Sequence, residues 1–226
     1  MPGILYEDNH LLAINKPAGW LVQGDHTGDP TLTDWGKSYL KDRYAKPGAV
    51  FLHPVHRIDR PVSGVVLFAR TDKALGRLTT LFRERRVEKT YLALTLNAPK
   101  AQEGELRHFL HKEEQRNFVH AFTRPAGDAK EALLAYTYLG KAGPWHVLSI
   151  RPLTGRPHQI RVQLAAIGCP IVGDVKYGAS APLPDASIGL HSAAIAFEHP
   201  VRKEPLVVRA TLPGLAIWQP VAAFLP

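Results

Sequence analysis

Asp59 stands between two arginines in His56-Arg57-Ile58-Asp59-Arg60-Pro61-Val62-Ser63-Gly64. Flanking cations favour the ionised carboxylate and depress its pKa. The run that follows, Gly64-Val65-Val66-Leu67-Phe68-Ala69, reads as a buried strand. An ionised carboxylate at the edge of such a strand can act as a nucleophile or a base. The same residues also describe a surface Arg-Asp-Arg turn closed by proline and glycine, because structural ion pairs perturb pKa values too. His53 and His56 lie three apart, but two histidines without a third ligand make a poor metal set.

Two further stretches carry candidate chemistry. Val87 to Leu96 reads as a strand with Leu92, Leu94 and Leu96 on one face and Lys89, Tyr91, Ala93 and Thr95 on the other. Tyr91 either covers a second core with its hydroxyl wet or lines a cleft. In Thr154-Gly155-Arg156-Pro157-His158-Gln159-Ile160-Arg161, Gly155 permits a tight turn and Pro157 suits a first helical position. The helix predicted there runs to about Ile167 and stops at Gly168. His158 and Arg161 would share a neighbouring face. A cation in the first turns of a helix is poorly placed for the helix dipole, so Arg161 calls for an acidic partner elsewhere.

The elements that must position these residues follow from periodicity and breakers. Ile4–Glu7 and Leu11–Lys16 form a hairpin around Asp8-Asn9-His10, and Lys16-Pro17 puts a cation at a strand end. Thr31 caps a helix over about Leu32 to Tyr44. After a strand from Ser63 to Arg70, Thr71 or Asp72 caps a helix to about Arg85, whose last turns carry Arg83, Arg85 and Arg86. The 98–127 stretch reads as short strands and a mobile loop mixing His108, His111, Lys112 and Arg116 with Phe109 and Phe118, a mixture that can track and stack on nucleic acid. Leu133–Tyr138 pairs with Trp145–Arg151. Pro170–Asp174 reads as strand and turn, Leu190–Phe197 and Leu206–Ala210 as strands, and Leu215–Trp218 with Phe224 as a packed tail.

The chain has 226 residues, 45% hydrophobic, enough for one domain or two lobes sharing one sheet. A formal net charge of +8 suits a phosphate-bearing partner. The single cysteine, Cys169, excludes an intrachain disulfide and a cysteine-pair zinc site. No run approaches the ~20 apolar residues of a membrane helix, and the N-terminus lacks signal-peptide character. A cytoplasmic, soluble protein is expected.

Taken in order, His56–Gly64, Glu88–Leu94 and Gly155–Val162 resemble the pseudouridine synthases of the RluA family. That family carries a His-Arg-Leu-Asp-Arg-x-Thr-Ser-Gly signature, a Lys-x-Tyr strand and a Gly-Arg-x-His-Gln-Leu/Ile-Arg segment. Lys16-Pro17, Gly173-Asp174…Tyr177-Gly178 and Leu190-His191…Phe197-Glu198-His199-Pro200 fit its general pattern. Ile58 and Val62 depart from the usual Leu and Thr, and Pro157 and Gln163 from commoner Thr and His. These positions flank the reactive groups and bear on substrate fit.

The resemblance implies an α+β pseudouridine-synthase fold, a long mixed, mostly antiparallel sheet with helices and loops around a central cleft. It implies one catalytic domain over 1–226 without an S4 domain, acting as a monomer. Asp59 is then the catalytic aspartate, Tyr91 the tyrosine against the target base and Arg161 the arginine paired with the carboxylate. Arg57 enters the RNA stack as the nucleotide leaves, with His56, Arg60, Arg83, Arg86, Arg156 and His158 as further RNA contacts. The reaction implied is isomerisation of uridine in ribosomal or transfer RNA, which needs no cofactor and no metal. The target base must first be flipped out, at roughly a few kcal/mol. Attack on the sugar, attack on the uracil ring and proton abstraction are all open to Asp59. A non-catalytic RNA-binding module would explain the charge but not Asp59, and a metal nuclease would need a carboxylate cluster that the chain lacks.

Overall fold

The computed structural model describes residues 1–25 and 27–224. In chain order the elements are β1 (Gly3–Glu7), β2 (Leu11–Lys16), α1 (Leu32–Arg43), β3 (His53–Pro54), β4 (Ser63–Ala69) and α2 (Asp72–Arg83). Then come β5 (Glu88–Thr95), β6 (Glu103–Glu113), β7 (Phe118–Phe122), β8 (Lys130–Ala142), β9 (Trp145–Pro152), α3 (Gln159–Ala166), β10 (Leu190–Glu198) and β11 (Pro205–Arg209). The class is α+β, as expected. No helix among the described residues is long and apolar enough to cross a membrane.

The chain folds as two compact units. The first comprises Met1–Glu88 and Ser192–Thr211. Its strands run in the order β1-β2-β4-β10, with β3 on β4 and β11 on β10. β4 is buried along its whole length, which explains its apolar run from Val65 to Ala69. α2, capped by the Thr71 hydroxyl on the Ala74 N–H, lays Ala74, Leu78 and Leu81 over Val65, Leu67 and Ala69. α1 begins in a capping box between Thr31 and Asp34.

The second unit comprises Lys89–His191 and Leu212–Pro226. Its antiparallel order is β5-β9-β8-β6-β7. α3 packs Val162 against Leu110, Val119 and Ala132 of this sheet.

Three expectations are corrected. Within the 98–127 stretch the expected strands form the hairpin β6–β7, and β6 is a long strand, Glu103–Glu113, where short strands and a loop were expected. Its inward positions include His108, whose polarity masks the alternation; inside, His108 meets the Gln163 amide at 3.1 Å. α3 starts at Gln159 rather than at Pro157, because His158 is held in the left-handed region at φ 50°. The 170–174 segment is no strand: Ile171 makes one isolated bridge to Thr95, and a 3-10 turn follows over Val175–Tyr177.

Candidate active site

In the first unit the end of β2 and the start of β4 are antiparallel partners, with Lys16 opposite Gly64. The loop bearing Asp59 therefore leads into β4 beside the end of β2. Gly64 has φ 113°, and a Cβ there would sit 2.2 Å from the Ser192 carbonyl oxygen. Only glycine lets β4 enter so close to β10.

Lys16 holds this loop. Its side chain is fully buried. Its Nζ donates to the carbonyls of Trp20 at 2.8 Å, Arg60 at 3.0 Å and Pro17 at 3.1 Å, one acceptor for each ammonium hydrogen. Burial pushes Lys16 down to about 7; the Asp59 carboxylate opposes that shift and Arg60 adds to it. The Gly19 N–H also donates to the Arg60 carbonyl at 2.8 Å. The Val62 N–H closes a turn onto the Asp59 carbonyl at 3.0 Å. Asp59 itself is partly exposed.

The neighbouring cations divide by role. Arg60 donates from Nε to the Gly19 carbonyl at 3.0 Å and meets Asp29 at 2.8 Å, so its guanidinium braces the loop. Arg57 is exposed beside it. His56 Nε2 accepts the Leu67 N–H at 3.1 Å, taking the place of a ladder bond where β3 ends, and its ring stacks on Phe82. An accepting nitrogen that serves the backbone gives His56 a structural duty in place of metal ligation. Arg83, the last residue of α2, and Arg86, just beyond it, are exposed, Arg86 lying 3.5 Å from Glu84.

In the second unit Tyr91 is buried on β5, opposite Ile150 of β9. Arg161 is also buried, and the acid that its position called for in this unit is Asp174. Arg161 Nε donates to Asp174 Oδ2 at 2.7 Å and Nη2 to Oδ1 at 2.8 Å, a two-pronged pair. Both residues converge with Tyr177: the Arg161 guanidinium lies 5.1 Å over its ring, and His158 Nδ1 meets its hydroxyl at 2.8 Å. The Tyr177 hydroxyl also accepts the Val119 N–H at 3.0 Å. The shared neighbourhood expected of His158 and Arg161 is thus centred on Tyr177. Arg156 is exposed, its Nε donating to the Glu131 carbonyl at 3.0 Å.

Three organising residues escaped sequence reasoning. Gln159 accepts from the Thr154 hydroxyl and the Arg156 N–H, and donates to the Leu133 carbonyl, shaping the turn before α3. Asp174 stood in the Gly173-Asp174 segment without a role, and Lys16 was placed only as a cation at a strand end. Gln159 and Lys16 bond in part to groups within five residues of them and Asp174 to Arg161, contacts that residue type alone does not announce.

Comparison with known proteins gives consistent results. The family model described as RNA pseudouridylate synthase matches residues 10–166. The tRNA pseudouridine synthase C of Vibrio cholerae is 30% identical over 234 residues, covering 96% of this chain and 92% of that protein. The ribosomal large subunit pseudouridine synthase C of the same organism is 35% identical over 218 residues, covering 92% of this chain and 65% of that protein. Among solved structures, human RNA pseudouridylate synthase domain containing 4 superposes with a TM-score of 0.77 at 27% identity, covering 94% of this chain and 89% of that one.

Proposed function

The chain belongs to the RNA pseudouridylate synthase family, and from that premise we propose that it isomerises uridines of ribosomal or transfer RNA with Asp59 as the reacting carboxylate. The observation that carries the reading is the match over residues 10–166, which spans Asp59, Tyr91 and Arg161. In the reaction the N1 glycosidic bond breaks, the uracil turns and C5 bonds to the ribose. Nothing is oxidised or reduced and no outside nucleophile enters, so one well-placed carboxylate suffices.

The roles follow from what each side chain is tied to. Asp59 rides on a loop fixed through Lys16 and Arg60, which limits the reorganisation needed to present it. Tyr91 offers the target base a buried ring. Arg161, whose Nε/Nη2 edge is held by Asp174, takes the part of the arginine that the family resemblance assigns to the catalytic carboxylate. Arg57 fills the gap left in the RNA stack by the departing nucleotide. His56, Arg60, Arg83, Arg86, Arg156 and His158 contact the surrounding RNA. The protein works in the cytoplasm as a monomer over one catalytic domain, with no cofactor, and activity survives EDTA once the RNA is folded.

The test is a map of pseudouridines in ribosomal and transfer RNA from cells with the gene, without it, and with Asp59→Asn. At least one site should vanish without the gene and stay absent with the variant. An unchanged map without the gene would sink the reading; restoration by Asp59→Asn would sink the role of Asp59.

A further inference from the structure

Lys89 lies two residues before Tyr91 on β5, so strand alternation puts both side chains on one face, about 6.6 Å apart along the strand. It is half-buried. Among the described residues it has no hydrogen bond and no ion pair. Other cations drawn out of water are treated differently: Lys16 has three carbonyls, Arg161 has Asp174, and Arg70 meets Glu7 at 3.1 Å. Burial alone lowers the pKa of Lys89, with no neighbouring charge offsetting it. A desolvated cation without an acceptor costs folding free energy. Such an ammonium is suited to an anion that arrives with a ligand, because its attraction is strong where water is scarce.

We propose that Lys89 binds a non-bridging phosphate oxygen of the RNA backbone next to the target uridine. The inference rests on the reading of Tyr91 as the residue that meets the base. Uracil is neutral, and the nearest anion to any uridine is its own phosphodiester. A lysine one strand repeat from Tyr91 is therefore placed to take that phosphate while the base lies against the tyrosine. The contact returns a charge partner to Lys89, so RNA binding takes up a proton and tightens as pH falls through the lowered pKa.

The experiment uses the RNA stem-loop whose uridine the wild-type protein converts, with affinity measured on Lys89→Met, Lys89→Arg and wild type. Lys89→Met should bind about ten-fold more weakly, with a salt slope lower by about 0.7 in single-stranded RNA. Lys89→Arg should bind close to wild type. A single neutral methylphosphonate flanking the target uridine should weaken wild-type binding and abolish the difference from Lys89→Met. The melting temperature of Lys89→Met should stay level or rise, because a stranded cation is removed; a fall would mark Lys89 as structural and overturn the proposal. Equal affinity of Lys89→Met and wild type overturns it as well. So does a Lys89→Met defect that persists with every flanking phosphate neutralised, which would point to a uracil carbonyl instead. Conversion by wild type without any Lys89 effect rejects this inference alone. If wild type converts no uridine in either RNA pool, the functional reading and this inference fall together.

Discussion

Lys16 and Lys89 lie in different units, and both are lysines whose pKa burial lowers. Lys16 meets three carbonyls, and its ammonium ties the end of β2 to the loop that carries Asp59. Lys89 meets none among the described residues. The first cation is part of the scaffold; the second adds nothing to the fold that the structure reveals. Burial and a shifted pKa therefore do not separate a structural lysine from a binding one. The supply of acceptors does.

The comparison breaks first at Gly64. If the Asp59 end of the first unit is built as rigidly as the Lys16 cage implies, Gly64→Ala should be the most damaging small change. It adds a strained φ and a clash with the Ser192 carbonyl. A loss of more than about 4 kcal/mol is expected, seen as insoluble or unfolded protein. Folded Gly64→Ala with wild-type melting would show that the loop has slack.

Asp174→Ala comes next, in the second unit. It strands the buried Arg161 guanidinium and should cost roughly 3–5 kcal/mol by urea denaturation. A loss under about 1 kcal/mol would mean that Arg161 finds another acid at once.

The direct contrast is Lys16→Met against Lys89→Met. The first leaves three inward carbonyls without their donor and should lose about 2–4 kcal/mol. The second should lose none. Equal losses measured by urea denaturation would erase the distinction between the two lysines.

Much of this was legible in the sequence because local rules and tertiary outcome agree. The β1–β2 hairpin, the Thr31 and Thr71 caps and the apolar run of β4 all follow from periodicity and capping chemistry. Several misses trace to polar residues turned inward by partners distant in sequence. His108 disguised β6 because its partner Gln163 lies 55 residues away. Pro157 suggested a helix start, but His158 takes a left-handed conformation and meets the Tyr177 hydroxyl, 19 residues on. The acid for Arg161 within its own unit is 13 residues on, inside the Gly173-Asp174 segment, which was given no role. The family resemblance marked Asp59, Tyr91 and Arg161 as site residues; it could not reveal the acceptors that make Lys16 structural and leave Lys89 without one among the described residues.

The smallest predicted effect separates the two forces acting on Lys16. Folded, Lys16 sits at about 7; unfolded, a lysine titrates near 10.4. Between those values the unfolded chain holds a proton that the folded chain has released. By linkage, the Lys16 contribution to stability rises as pH climbs from about 7 toward 10. Below 7 both states are protonated and the cost of burying the charge is constant. Lys16→Met has no such titration. The stability gap between wild type and Lys16→Met should therefore widen between about pH 7 and pH 9, by at most about 1.4 kcal/mol per pH unit, the limit for a single proton. Urea denaturation of both proteins across that range measures it, with shared titrations cancelling in the difference. A flat gap would mean that the carbonyl cage and Asp59 together offset burial and keep Lys16 charged throughout. The cage would still be structural, but the ammonium would then be a permanent cation beside the reacting carboxylate.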